Sequence, residues 1–171
     1  MIINIGKHKG KIVELVTLKD PSYVEWVLSQ HSASGSLADI KEYMIDLIEI
    51  FDKKPIIRQC KSGCGKMATR FTFYKDNVVN PYVWCDECDP REFVLEGKNS
   101  TIISTYREAL NYVDFEAGGV KSAKKAIIRT IALLKGLPKR VGEDEAEEFF
   151  VEPVTYTVYD NATGEFKTIT K

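Results

Sequence analysis

The 171-residue chain is poor in several kinds of residue, and each shortage excludes something. It has two histidines, two tryptophans, three methionines and four cysteines. With only two histidines, His8 beside the basic turn and His31 in a serine-rich loop, no catalytic histidine constellation emerges and a histidine metal site is weakly indicated. No apolar run approaches the ~20 residues that span a bilayer. The start, Met1-Ile-Ile-Asn-Ile-Gly, lacks the apolar stretch and small-residue cleavage site of an export signal. A cytoplasmic protein with no membrane partner is therefore expected. There is no excess of either charge, with 24 basic against 25 acidic residues, so a uniformly basic nucleic-acid binder is excluded. With 44% hydrophobic and 29% charged residues, a wholly disordered chain is excluded as well. No internal repeat is visible.

Catalytic patterns are also missing. There is no Ser/His/Asp order, and no cysteine is left as a nucleophile once four thiolates are committed to a metal. The carboxylates stand in surface-like runs rather than at apolar positions where paired acids are tuned. No catalytic residue is assigned, and a non-enzymatic protein is expected.

What is present begins with charge pattern. Over residues 53–75 there are seven basic residues and no acid, and residues 76–96 hold six acids against one arginine. Residues 97–142 return to nine basic against three acidic, and residues 143–152 hold six acids and no base. Alternating blocks of this size imply a polarised surface.

All four cysteines lie between 60 and 88, as Cys60-Lys-Ser-Gly-Cys64 and Cys85-Asp-Glu-Cys88. Two close pairs separated by a segment long enough for a hairpin are the pattern of a four-thiolate zinc site. Disulfides are disfavoured without export. Four Cys ligands fill a tetrahedral ion and leave no open position, so one structural Zn²⁺ held by Cys60, Cys64, Cys85 and Cys88 is expected. Phe71-Thr-Phe-Tyr74, Asp76-Asn77 and Tyr82-Val-Trp84 read as strand, turn and strand. Asp89-Pro90 has the form of a helix N-cap with proline at the first helical position, which favours a treble clef over a ribbon without deciding between them.

The first arm of this finger carries Arg58, Lys61, Lys66, Arg70 and Lys75 among Phe71, Phe73 and Tyr74. Cations for phosphate beside aromatic faces suit a nucleic-acid surface. The alternatives are that the aromatics fill the finger's core and that the acidic second arm pairs with the first.

Near the amino terminus, Gly6-Lys7-His8-Lys9-Gly10-Lys11 sets lysines around one turn, and Asp20-Pro21 starts a helix with Tyr23, Trp26 and Val27 at helical spacing. The turn follows a short strand and leads to a second strand or a short helix. It is not a P-loop, which needs a different glycine spacing and a terminal Lys-Ser/Thr. Lys7, Lys9 and Lys11 are candidate phosphate contacts. Residues 4–30, through the glycine–lysine turn and Asp20-Pro21-Ser22-Tyr23 leading to Trp26, resemble the small carboxyl-terminal domain of exodeoxyribonuclease X-like proteins. In that family the module accompanies a four-acid, two-metal nuclease domain. The remaining residues are too few for that domain, so the resemblance implies an accessory role in handling DNA rather than cleavage.

Ser32 to Ser36 reads as a linker, with Ser36 as cap of an amphipathic helix of about fifteen residues running from Leu37 to Phe51. Its outward residues are acidic. Thr101 to Val113 reads as a helix, Gly118-Gly119 as a break, and Val120 to Lys135 as a second helix with Lys121, Lys125 and Arg129 in one stripe. Two helices joined at a glycine break read either as a helix-turn-helix DNA reader or as a plain helical hairpin, and the connection is longer than the usual helix-turn-helix turn. Glu143 to Glu148 is an acidic short helix or loop, and Val154 to Thr170 an alternating hairpin.

The fold expected is α+β: a small zinc finger, ribbon or treble clef, with helices and a C-terminal β-hairpin. Its segments are 1–30, 31–54, 55–97, 98–142 and 143–171. The function expected is a non-enzymatic nucleic-acid-binding accessory protein with one structural zinc, in a larger nucleoprotein complex with protein partners. Replication, repair, mobile-element or antiviral settings would suit it. The alternatives are a zinc-stabilised protein-interaction module and a small metal-dependent nuclease.

Overall fold

The computed structural model describes residues 1–74, 77–88, 100–112, 120–151, 153, 155–160 and 163–170. The architecture is α+β, with six α-helices and two small antiparallel sheets among the described residues. Helices α1 (Val13–Lys19), α2 (Pro21–Ser29) and α3 (Ser36–Lys53) come first. Strands β1 (Arg70–Tyr74), β2 (Asn77–Trp84) and β3 (Ser100–Ile103) follow, then α4 (Tyr106–Leu110), α5 (Val120–Leu134), α6 (Glu143–Val151), β4 (Thr155–Asp160) and β5 (Glu165–Thr170).

The amino-terminal turn and α2 form one unit, and Asp20 explains why. One carboxylate oxygen caps α2 by accepting from the Tyr23 N–H at 3.1 Å. The other lies 2.7 Å from Lys7 Nζ and 2.9 Å from His8 Nε2. A single 3₁₀ turn, Gly6–His8, is thereby latched onto the start of α2. Ile2 and Ile12 pair as an isolated bridge at its base, so no second strand forms and α1 starts at Val13.

Proline 21 has a cost that the tertiary structure offsets. Lacking an N–H, Pro21 cannot serve the Thr17 carbonyl four residues earlier. The buried hydroxyl of Tyr106 donates to that carbonyl at 2.6 Å, tying α4 to the end of α1. Tyr106 also stands edge-on to Phe51 of α3, with ring centroids 5.2 Å apart.

Helix α3 follows its apolar stripe: Ile40, Met44, Leu47, Ile48 and Phe51 are buried. Gly35, at φ 53°, holds the N-cap position; Ser36 is the first helical residue, and its hydroxyl accepts from Asn4 Nδ2 at 3.0 Å. At the other end Lys135 is buried, and its ammonium donates to the carbonyls of Phe51, Asp52 and Lys54 at 2.7–3.0 Å. One cation thus satisfies carbonyls that α3 cannot satisfy itself.

The three-stranded sheet has the order β2-β1-β3. Residues 100–103 are a strand where the sequence pattern suggests helix, because Phe71, Thr72, Phe73 and Tyr74 offer β1's second edge to them in register. The helix begins only at Tyr106, behind a capping box of Thr105 and Glu108. Phe71 and Phe73 enter a core shared with Val13, Val24, Met44, Ile103, Ile127, Ile131 and Phe150. The acidic block forms α6, burying Ala146, Phe149 and Phe150. The β4–β5 hairpin forms as expected, a sheet of its own with Tyr159 and Phe166 exposed.

Candidate metal centre

Each pair of cysteines sits where the backbone turns sharply beside the sheet. Cys85 follows β2 directly. The Cys60–Cys64 loop is closed by Cys60 N–H to Lys66 O at 2.8 Å, beside a Gln59–Met67 bridge. It is docked onto β2 by Lys61 N–H to Val83 O at 2.9 Å. Gly63 (φ 78°) and Gly65 (φ 77°) flank Cys64 in the left-handed region, which lets the backbone fold around a sulfur at no steric cost. Cys88 N–H closes the second turn on Cys85 O at 3.3 Å.

The result is a cluster in which all four sulfurs lie within 4.8 Å of one another. None is in a disulfide. Cys64 Sγ and Cys85 Sγ are 3.8 Å apart. A tetrahedral ion with metal–sulfur bonds of about 2.3 Å would set its sulfurs about 3.8 Å apart, so the spacing fits. Cys60 and Cys85 are buried and Cys64 is exposed.

Crowded thiols interfere with one another's ionisation. The Ser62 hydroxyl and the Lys66 backbone draw Cys64 down to about 6. Burial opposes ionisation of Cys60, but hydrogen bonds led by Ser62, whose Oγ is 3.2 Å from its sulfur, bring it below the usual thiol range. At Cys88 the Ser62 hydroxyl favours the thiolate, yet Cys85 and Cys64 outweigh it and push the thiol up to about 11. A divalent cation among these sulfurs would remove that conflict, since it stabilises all four thiolates together.

The cations of the finger are largely committed. Lys66 pairs with Glu87. Arg70 binds Asp86 through Nε at 2.9 Å and Nη2 at 2.6 Å. Lys61 lies over the Tyr82 ring, 3.3 Å from its centroid. The second arm therefore pairs with the first, and Phe71 and Phe73 are core residues with no face left for a base. Arg58 remains exposed beside a cleft of about 310 Å³ between β2 and α5. Lys75, like Asp89-Pro90 and Gly118-Gly119, lies outside the described residues, as does the side chain of Lys121.

At the amino terminus Lys7 is tied to Asp20, while Lys9 and Lys11 are exposed. On α5, Lys125 and Arg129 are exposed and Lys124 is paired with Glu25 at 2.9 Å. Arg129 donates to Lys139 O at 2.7 Å, and Lys19, at the end of α1, donates to Val141 O at 2.6 Å. These two bonds gather Lys125, Arg129, Lys139, Arg140 and Lys19 around the α5–α6 connection. Among the described residues none of the five is in an ion pair with a carboxylate. Lys139 and Arg140 were legible only in the basic surplus of residues 97–142. Nothing local in the sequence links Lys19 to them.

Comparison with family models, with curated proteins and with solved structures finds no match. No helix among the described residues is long and apolar enough to cross a membrane.

Proposed function

We propose that the chain is a non-enzymatic nucleic-acid-binding accessory protein, with one structural Zn²⁺ on Cys60, Cys64, Cys85 and Cys88, working inside a larger nucleoprotein complex. The observation that carries this reading is the basic face around the α5–α6 connection: Lys19, Lys125, Arg129, Lys139 and Arg140 outside any ion pair among the described residues. A cation already bound to a carboxylate gains little from a phosphate, whereas an unpaired one releases counterions from the nucleic acid. The working surface in this reading is thus the α5 stripe, extended by Lys19, Lys139 and Arg140, rather than the finger's basic arm. The zinc stiffens the sheet against which α5 packs. The resemblance of residues 4–30 to the exodeoxyribonuclease X-like accessory domain supports the same direction.

The test is a titration with single- and double-stranded DNA and RNA at low and near-physiological salt. Binding is expected to weaken steeply with salt. Lys139→Glu with Arg140→Glu should lower the slope of log affinity against log salt by about 1 per residue. Arg70→Ala, which removes a guanidinium held by Asp86, should change it little. Equal binding by the double variant and the parent would refute the assignment of the surface.

A second reading has its own observation. Tyr159 and Phe166 stack edge to face on the β4–β5 hairpin, with Phe166 75% exposed. An exposed aromatic pair of this kind suits a protein partner, which is compatible with membership of a complex. A salt-insensitive protein complex lost on Phe166→Ser would favour it.

A further inference from the structure

We propose that the pocket between the Gly6–His8 turn and α2 takes an unpaired nucleobase stacked on Trp26, so that the chain engages a single strand or a flipped-out base. The proposal rests on the nucleic-acid reading above and adds to it a site for the base. The pocket holds about 240 Å³ and is lined by Ile5, Gly6, Lys7, Tyr23 and Trp26. Periodicity places Trp26 with Tyr23 and Val27 on one helix face, and the structure buries the other two while leaving the indole 48% exposed. The Tyr23 and Trp26 rings are 5.5 Å apart and tilted by 33°. The latch at Asp20 fixes this wall: His8 packs edge-on against Tyr23 at 4.6 Å and binds Asp20, so both aromatic rings sit on a braced helix start.

Three features favour a base over another apolar group. Lys7 Nζ is held by Asp20 at 2.7 Å, which leaves its alkyl stem as a wall of the pocket. Lys9 and Lys11, from the same turn, are exposed and outside any ion pair among the described residues, ready for the phosphates that flank a stacked base. The Lys124–Glu25 ion pair docks α2 on α5, so the aromatic wall and the basic stripe lie on adjacent helices. Bases within a duplex are already stacked on one another and cannot enter; an unpaired base can.

The experiment uses the full chain with Trp84→Phe, so that indole emission reports Trp26 alone. Trp84 Nε1 has no hydrogen-bond partner, so phenylalanine forfeits no bond there. This protein, and the same protein with Trp26→Leu or Trp26→Phe, is titrated against a dye-labelled thymidine oligonucleotide, an abasic strand of equal length and a blunt duplex; affinities are read from the anisotropy of the dye, since the Trp26 variants carry no indole. Stacking predicts that the thymidine strand quenches Trp26 and that the abasic strand does not. Trp26→Leu should bind the thymidine strand about ten-fold more weakly, Trp26→Phe should recover much of the loss, and abasic and duplex binding should be unmoved. If Trp26→Leu binds the thymidine strand as the parent does, the base site is wrong. Should the Lys139/Arg140 reversal still weaken binding in that case, the backbone reading stands without it. Absence of binding to all three nucleic acids at low salt would overturn both.

Discussion

Cys64→Ser removes one of the four sulfurs a tetrahedral ion needs, and the structure indicates how much depends on it. The loop from Cys60 to Lys66 is held by four hydrogen bonds: Cys60 N–H to Lys66 O, Gly63 N–H to Cys60 O, Lys61 N–H to Val83 O and Cys64 N–H to Ser62 Oγ. At a net ~1 kcal/mol each these contribute about 4 kcal/mol. Ordering seven residues costs roughly 7–14 kcal/mol, toward the upper end where two of them are glycines. The proposed zinc, if held by the four thiolates, would cover the shortfall of roughly 3–10 kcal/mol, since such binding supplies about 10–16 kcal/mol in zinc-finger peptides. Without the ion the loop should open while the helical core stays folded, because Met44, Ile127 and Phe150 do not depend on the cysteines for their burial. Hydrogen exchange is the assay. Chelated parent and Cys64→Ser should both lose protection at the Cys60 and Lys61 amides, with zinc content falling from one per chain and far-UV helicity kept. Unchanged protection at those two amides in both samples would refute the metal centre.

Three further predictions concern the frame that holds the sites. Tyr106→Phe should destabilise by about 1–3 kcal/mol, since it orphans the Thr17 carbonyl that Pro21 cannot serve; at about 2–4 °C per kcal/mol a thermal melt resolves it, and an unchanged melt would show the carbonyl satisfied otherwise. Lys135→Met should cost about 3 kcal/mol or more by leaving three carbonyls at the end of α3 without their donor. Burial pushes the Lys135 ammonium down to about 8, so the unfolded chain holds a proton that the folded chain releases; parent stability should rise from about pH 8 towards the ordinary lysine value, and denaturant midpoints of the methionine variant should lack that rise. At Asp20 burial raises the carboxyl's pKa, but Lys7, His8 and the Tyr23 N–H outweigh it and hold it below the usual range. Its contribution to stability is present above about pH 4 and lost as pH falls through the lower folded value, so Asp20→Asn should flatten the acid limb of the stability curve measured by denaturant titration; an identical acid limb would mean the latch contributes nothing.

Features set by short spacings were legible in the sequence. The cysteine pairs needed only a hairpin between them to bring four sulfurs together, and the strand–turn–strand pattern supplied one. The Asp20-Pro21 cap, the stripe of α3 and the β4–β5 hairpin follow from neighbours within a few residues. Residues 100–103 were not legible, because Ile102, Ile103 and Tyr106 fit a helical stripe as well as a strand that ends in a capped turn. Only the free edge of β1, some thirty residues earlier, settles it.

Tertiary structure also decided which charges are free. The sequence by itself determined that residues 53–75 are basic and residues 76–96 acidic. Antiparallel pairing of β1 with β2 places Asp86 against Arg70, and Glu87 meets Lys66 across the two turns, so much of that charge cancels within the finger. Lys19, Arg129 and the Lys139-Arg140 pair come from three separate segments, and only the packing of α1 and α5 around the 139–141 segment collects them. Spacing along the chain fixes what a few bonds can reach, whereas the partner of a long charged side chain is whichever group folding brings within its reach.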